Sequence, residues 1–281
     1  MKLETAGVLF KPNSKNLISN YLEILNTLKQ NNINYILETN SANTIDKEGL
    51  EFIKLCERSD FLLCVGGDGT LISTARKAYN FDIPILGINF GKLGFLIDID
   101  QNQFDGFLKK IKKGEFRIDE RLMLKLQIEN KTYYSFNDIV LCKKSMRGLV
   151  DIDATINDKR FNHYRGDGVI VSTPTGSTAY NLSCGGPVIY PLGRGIVVTP
   201  ISAHSLTQRP VVLPEVFNIK FKSVGEEDIK IIIDGQTSLQ LARGEQISIS
   251  QASKKAKLIH RCEFNYFDIL SQKLRWGDYD K

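Results

Sequence analysis

Apolar positions follow two rhythms along this chain, and the change near residue 115 divides it. In the first part short apolar runs alternate with longer amphipathic ones. GVLF (7–10) reads as a buried strand, and residues 17–31 place Leu17, Tyr21, Leu22, Ile24, Leu25 and Leu28 at helical spacing. NINYILET (32–39) is strand-like, and a second helical segment follows around 47–57. Then come FLLCVGG (61–67), TLISTARKAY (70–79) as a helix, and PILGINF (84–90) as another short apolar run. Strands alternating with helices at this spacing predict a parallel sheet with crossover helices.

Past residue 115 the runs are short, β-branched or aromatic, and often alternate with polar residues. RLMLKLQIEN, KTYYSFNDIVLCKK, VDIDATINDKRF, GVIVSTP, GIVVTPIS, FNIKFKSV, DIKIIIDGQ and EQISISQA are separated by turn residues. This texture predicts an all-β unit, a sandwich or folded-over sheet. NYFDILSQKLRWG (265–277) carries a short helix. The expected architecture is α/β plus all-β: an α/β domain over 1–117, a β-sandwich domain over 118–260, and a C-terminal segment, 261–281, packing back on the first domain.

Composition narrows the class. The 281 residues are 42% hydrophobic and 25% charged with a net charge of +5, the balance of a globular protein with real cores. The basic runs KKIKK (109–113) and SKKAK (253–257) read as solvated faces, and no stretch interleaves aromatic with basic residues as a nucleic-acid binder does. Five cysteines without a CxxC pair and three scattered histidines suggest neither a disulfide framework nor a zinc site. MKLETAGVLF has no apolar signal core and no apolar run approaches a membrane span, so a reduced, cytoplasmic protein is expected, with no membrane partner.

The chemistry begins where FLLC breaks into VGGDGTLIST (65–74), a core strand ending in one acid among three glycines. Glycine lets other groups approach the backbone, and ligands of open α/β sheets bind beyond the carboxyl ends of strands. Asp68 there could hold a cation, take a proton from a hydroxyl attacking a phosphoryl group, or merely cap the next helix. GINFGKLGFL (87–96) repeats the device with Gly91 and Gly94. In FNDIVL, Asn137 and Asp138 offer an amide and an acid suited to ribose hydroxyls, or to a plain turn. The stretch 164–191 joins a strand to six hydroxyl residues, Ser172, Thr173, Thr175, Ser177, Thr178 and Tyr180, which could offer neutral donors to a polar nucleotide. There is no GxxxxGK[ST] run, no GxGxxG after a strand and no GxSxG, so a Walker loop, a dinucleotide fingerprint and a serine nucleophile are unsupported.

Taken in order, GGDGT (66–70), NFGKLGFL (89–96), FNDIVL (136–141), RGDGVIVSTPTGSTAYNLSCGGPVIYP (165–191), TPISAHSLTQRPVVLP (199–214) and DGQ (234–236) resemble the NAD kinase family, which phosphorylates NAD to NADP. The resemblance implies an N-terminal Rossmann-like α/β domain, a C-terminal β-sandwich domain, and Asp68 as general base on the 2′-hydroxyl of the adenosine ribose, with Gly69 against the substrate. Asn137 and Asp138 would hold ribose hydroxyls; many bacterial members carry Glu at the second place, so Asp138 reaches one methylene less far. Arg165 and Asp167 match the R-x-D-G element, with Asp167 facing the nicotinamide carboxamide. Thr178, Ala179, Tyr180, Asn181, Leu182 and Ser183 would cradle the adenine end, and Gln236 would join the NAD site.

Gly66, Gly67, Gly69, Thr70 and the glycines near 91–94 would line the phosphates of ATP or polyphosphate. Mg²⁺ would bridge those phosphates with no dedicated protein ligand. The resemblance also implies a homodimer or homotetramer. His163, His204 and His260 are expected to be structural or solvent-facing. A lipid kinase of the diacylglycerol or sphingoid type shares GGDGT but needs an apolar cleft, and a non-catalytic nucleotide binder would bind NAD without turnover.

Overall fold

A computed structural model describes residues 3–12, 14–91, 94–145 and 147–277. Lys92 and Leu93 of the NFGKLGFL motif and residues 278–281 of the C-terminal segment lie outside the described residues. The first elements alternate as the apolar rhythm predicts: β1 (Thr5–Phe10), α1 (Ile18–Gln30), β2 (Asn34–Leu37), α2 (Thr39–Thr44), α3 (Phe52–Glu57), β3 (Phe61–Val65), α4 (Asp68–Lys77), β4 (Ile85–Ile88), α5 (Gln101–Lys112) and β5 (Arg117–Arg121). β1 pairs in parallel with both β2 and β3, and β3 with β4. All five residues of β3 are buried, as expected for a parallel strand covered on both faces. α1 buries Tyr21, Ile24, Leu25 and Leu28, one stripe at i, i+3, i+4 and i+7. α5 does the same with Phe104, Phe107, Leu108 and Ile111 behind an Asp100–Gln103 capping box. Each such side chain contributes roughly 1.5–3 kcal/mol by leaving water.

Two details depart from the local pattern. TNSANT forms α2 without an apolar stripe because the Glu38 carboxylate caps it, accepting the N–H groups of Asn40 and Ser41 at 2.9 and 3.2 Å. The helix expected around 47–57 shortens to α3, because Leu50 pairs in parallel with Glu38 and donates its N–H to the Leu37 carbonyl at 2.8 Å. Sheet pairing overrides local propensity there.

The next elements are β6 (Leu124–Ile128), β7 (Lys131–Ser135), β8 (Asp138–Lys143), β9 (Val150–Ile156), β10 (Lys159–Gly166), β11 (Gly168–Ser172), the short α6 (Tyr180–Ser183), β12 (Ile196–Ile201), β13 (Val211–Leu213), β14 (Ile219–Ser223), β15 (Ile229–Ile233), β16 (Thr237–Leu241) and β17 (Gln246–Gln251). They form two six-stranded sheets, ordered β10-β9-β14-β17-β6-β7 and β13-β12-β11-β8-β15-β16. One core joins them, with Leu126, Ile152, Phe221 and Ile249 from the first meeting Leu141, Val171, Val198 and Ile231 from the second. β11 and β12 read as continuous apolar runs because their second face is covered too: Val140, Ile170 and Ile201 pack with Cys142 and Cys184.

β18 (Ala256–His260) then returns to the first sheet, pairing Leu258 in parallel with Ile85 and completing the order β2-β1-β3-β4-β18-β5. α7 (Tyr266–Leu274) follows, capped by Asn265 and buried through Tyr266 and Leu270. The two compact units are Met1–Glu120 with Ala256–Lys281, and Arg121–Lys255. Among the described residues no helix is long and apolar enough to cross a membrane.

Candidate functional site

In the first unit the site grows from the carboxyl end of β3. The sheet order places β1 between β2 and β3, so the chain steps from β1 to β2 on one side and then crosses back past β1 to β3, the kind of reversal at which open α/β sheets bind ligands. Gly67 is the cap residue of α4, and Asp68 is its first residue rather than its cap. The Asp68 side chain instead reaches the segment after β4, where Oδ2 accepts the Phe95 N–H at 2.8 Å. Oδ1 is buried without a hydrogen-bond partner among the described residues. Burial pushes the Asp68 carboxyl above its ordinary 3.8; the backbone at Phe95, Leu96 and Ile97 and the charge of Lys273 on α7 pull the other way without cancelling it. A carboxylate in that condition is a stronger base than one in water.

The glycines around it divide into two kinds. A β-carbon on Gly94 would stand 2.1 Å from both Asp68 oxygens, and one on Gly66 would stand 2.7 Å from the Thr70 hydroxyl. These two are demanded by the fold, and Thr70 is seated against Gly66. Among the described residues, a β-carbon on Gly67 or Gly69 would meet nothing within 4 Å beyond its chain neighbours and the helix's own backbone, and neither residue has positive φ. Among the described residues neither packing nor backbone strain accounts for glycine at 67 and 69. Gly94, expected among the phosphate-lining glycines, is the floor under the carboxylate.

The second unit gathers its polar residues where β8 begins. Asp138 is buried, and its carboxyl is pushed from 3.8 up to about 7, first by burial and then by the charge of Asp234. Asn137 precedes it with Oδ1 buried and unpartnered among the described residues. The 172–178 loop is fastened to this pair. Thr173 donates its N–H to the Asn137 carbonyl and its hydroxyl to the Phe136 carbonyl, each at 2.8 Å. A β-carbon on Gly176 would lie 2.1 Å from the Asn137 carbonyl oxygen, which is why the STPTGST stretch needs glycine there.

The hydroxyl run does less for a ligand than its composition suggests. Ser172, Thr173 and Ser177 are wholly buried and hydrogen-bonded within the unit. Thr175 Oγ1 is buried without a partner. In the TAYNLS segment, Thr178, Ala179 and Leu182 are half-buried, and Tyr180 and Ser183 are exposed. The Asn181 side chain is spent inside the fold: Nδ2 donates to the Ser177 and Pro187 carbonyls at 2.9 and 3.1 Å, and Oδ1 accepts the Thr199 hydroxyl at 2.6 Å. Asp167 is bridged by Lys143 at 2.6 Å, whereas Arg165 is exposed with Nε 3.7 Å from Asp151. Gln236 is exposed at the β15–β16 turn.

Three residues at these sites were given no role from the sequence, although Asp234 stands in the DGQ motif. Lys143 and Lys273 are two lysines among many. Asp234 sits in an Asp-Gly pair, which reads as an ordinary hairpin turn. Among the described residues no three His, Cys, Asp or Glu side chains converge as a metal cage would require.

Comparison with known proteins gives one answer. The family model of the ATP-NAD kinase N-terminal domain matches residues 6–116, and that of the ATP-NAD kinase C-terminal domain matches 136–261. The chain is 47% identical to the NAD kinase of Sulfurimonas denitrificans over 280 residues, covering 98% of each chain. It is 41% identical to that of Wolinella succinogenes over 280 residues, covering 98% of this chain and 97% of the other. Its fold is similar to that of yeast NADH kinase complexed with NADH, with a TM-score of 0.92 at 24% identity over 100% of this chain and 90% of that one. It is also similar to an Archaeoglobus fulgidus NAD kinase in complex with ATP, with a TM-score of 0.78 at 24% identity, covering 96% and 98%. None of these is a lipid kinase, and that alternative has no support.

Proposed function

The chain belongs to the NAD kinase family, and from that premise we propose that it transfers the terminal phosphoryl group of ATP, or of inorganic polyphosphate, to the 2′-hydroxyl of the adenosine ribose of NAD. The observation that carries the assignment of roles is Asp68: one oxygen fixed by the Phe95 amide, the other buried and unpaired, the carboxyl pushed up by burial. As the 2′-oxygen forms its bond to the terminal phosphorus, the bond from that phosphorus to the bridging oxygen breaks. The proton leaving the hydroxyl passes to Asp68. Because a sugar hydroxyl is scarcely ionised at neutral pH, the acid serves by accepting the proton during transfer and by aligning the oxygen for in-line attack.

Gly67 and Gly69 let phosphate oxygens approach the backbone at the start of α4, which explains two glycines that the fold does not demand. Asn137 and Asp138 receive ribose hydroxyls. Asp167, held by Lys143, and Arg165 serve the nicotinamide side, and Gln236 joins the NAD site. Thr178, Ala179, Tyr180, Leu182 and Ser183 border the adenine end, while Asn181 shapes that segment from inside.

A divalent cation such as Mg²⁺ would fit here, because among the described residues the donors are one carboxylate and exposed backbone rather than a cage of acids. It supplies neutralisation of the triphosphate charge; no protein ligand is assigned to it. A homodimer or homotetramer working in the cytoplasm completes the reading.

The test mixes purified protein, NAD, ATP and Mg²⁺ and quantifies NADP, beside Asp68→Asn. Product from the native chain and a loss of about 10²–10⁴-fold in the variant are expected. Equal rates from both would remove Asp68 as base, and NAD binding without turnover by the native chain would leave a nucleotide sensor.

A further inference from the structure

We propose that Asp234, at the β15–β16 turn, is the positioning residue of the acceptor site: its carboxylate holds the backbone of Phe136–Asp138 in the shape that presents the Asn137 and Asp138 side chains to NAD. The inference rests on assigning those two side chains to the acceptor.

Asp234 and Gly235 both have positive φ, 49° and 65°, and Gln236 donates its N–H to the Ile233 carbonyl at 3.0 Å, a turn of the I′ kind. The turn throws the Asp234 carboxylate across to the start of β8. Oδ1 accepts the N–H of Asn137 at 2.7 Å and that of Asp138 at 3.1 Å, and Oδ2 accepts that of Phe136 at 2.9 Å. Three successive backbone N–H groups make an anion nest, here filled by the protein's own acid. The Ser135 hydroxyl lies 2.7 Å from Oδ1 and 2.8 Å from the Asp138 carbonyl, and shares its single proton between them. In return the Asp234 N–H donates to the Asp138 carbonyl at 3.0 Å.

From the opposite side Thr173 takes the Phe136 and Asn137 carbonyls. Every backbone group of the tripeptide from Phe136 N–H to Asp138 C=O therefore has a partner. Its side chains remain. Asn137 Oδ1 is buried and unpaired, and Asp138 has a buried carboxyl facing the Asp234 carboxylate and the Cys184 thiol. Fixing a main chain so completely beside a buried amide oxygen without a partner among the described residues and a buried acid is what a site must do to hold a ligand's hydroxyls at one geometry. Asp234 also sets the charge that Asp138 feels.

The experiment compares steady-state kinetics of the native enzyme, Asp234→Asn, Asp234→Glu and Asn137→Ala, with NAD and ATP varied separately and kcat/KM for NAD followed from pH 5.5 to 9. Asp234→Asn keeps the shape but replaces an acceptor oxygen by an amide that cannot serve the nest. Its KM for NAD is expected to rise about tenfold or more, with the KM for ATP moving less than about twofold. Its acid limb is expected at lower pH, because the like charge beside Asp138 has gone. Asp234→Glu restores the charge, returning the limb toward the native position while KM stays raised.

Loss of thermal stability with native KM for NAD and a native acid limb overturns the proposal. If Asp234→Asn does not fold, Ser135→Ala removes one contact to the same carboxylate and is expected to raise the NAD KM about threefold; an unchanged KM overturns the proposal there. Asn137→Ala separates the two levels. If it leaves the NAD KM unchanged, the acceptor-site assignment itself fails. If it raises the KM and Asp234→Asn does not, only the role of Asp234 fails.

Discussion

Asp98 and His260 meet at 3.0 Å with both side chains almost wholly buried, 4% and 1% exposed, and together they tie the end of β18 to the segment that carries Phe95. The Asp98 carboxylate also accepts the N–H and Nε–H of Arg261, each at 3.3 Å, and the His260 ring stacks on Phe264 at 4.3 Å. Phe95, three residues before Asp98, is the amide that fixes Asp68. The buried pair thus steadies the segment on which the proposed base leans.

Asp98→Asn tests that support. Burial raises the Asp98 carboxyl, but His260 and Arg261 outweigh it and leave it below 3.8. A depressed carboxyl contributes stability that is present above its unfolded value and lost as pH falls through its folded value. The variant is therefore expected to be about 2–3 kcal/mol less stable than the native chain at pH 7, and the gap to narrow below pH 3.8. Chemical denaturation at pH 7 and pH 3 measures it; a gap independent of pH would contradict the pairing. Turnover should fall more than KM for NAD rises.

Gly94→Ala and Gly69→Ala separate the two kinds of glycine. A methyl at 94 must displace Asp68, since it would stand 2.1 Å from both oxygens. A shift of this size at a reacting group costs about 10²-fold in turnover. At 69 a methyl meets nothing among the described residues beyond the helix's own backbone and sits in the first turn of α4, so stability is expected to hold or to rise by up to about 1 kcal/mol. The KM for ATP is expected to rise in that variant. Parallel melts and ATP titrations decide, and an unchanged KM for ATP in Gly69→Ala would remove the phosphate from α4.

Asp138 is expected to trade stability for its place at the site. Its folded value of about 7 exceeds the unfolded 3.8, so the folded state keeps a proton that the unfolded state has released between those values. Stability from this group is greatest below pH 3.8, falls as pH rises to about 7 and is level above. Asp138→Asn cannot ionise and escapes that loss. It should exceed the native chain by at most roughly 4 kcal/mol at pH 8, with the advantage shrinking toward pH 4. The same variant is expected to bind NAD more weakly. A native-like difference at all pH values would mean that Asp138 stays charged without cost.

Much of this was legible from letters because the relevant forces are local. α1 and β3 follow from apolar spacing, and Asp68 stood out as an acid in a glycine turn at a strand end. What was not legible depends on partners that carry no letter or lie far along the chain. The donor to Asp68 is a backbone amide at Phe95. AKLIH in β18 has the same alternating texture as the sandwich strands, yet it pairs with Ile85, because local pattern does not encode sheet membership. The hydroxyl run gave the wrong emphasis for a related reason: composition does not say which of Ser172, Thr173 and Ser177 point inward, and all three do.

Asn181 and Gly186 should behave as one unit. The Asn181 amide is fully buried, serves Ser177, Pro187 and Thr199, and would be met at 2.0 Å from its Oδ1 by a β-carbon on Gly186. Asn181→Ala leaves two carbonyls and a hydroxyl short of partners, a loss of roughly 3 kcal/mol. Gly186→Ala alone is expected to cost a similar amount by driving the amide out of its bonds. Once Asn181 has been shortened, however, the methyl at 186 has nothing to strike, and it enters space the amide has left. The double variant is therefore expected to be no less stable than Asn181→Ala, a coupling of about 2–3 kcal/mol in a double-mutant cycle. Tyr180→Phe, at an exposed neighbour in the same segment, should change stability by less than about 0.5 kcal/mol. Urea denaturation of the four proteins reads the cycle directly, and strictly additive losses would show that glycine at 186 answers to something other than the buried amide.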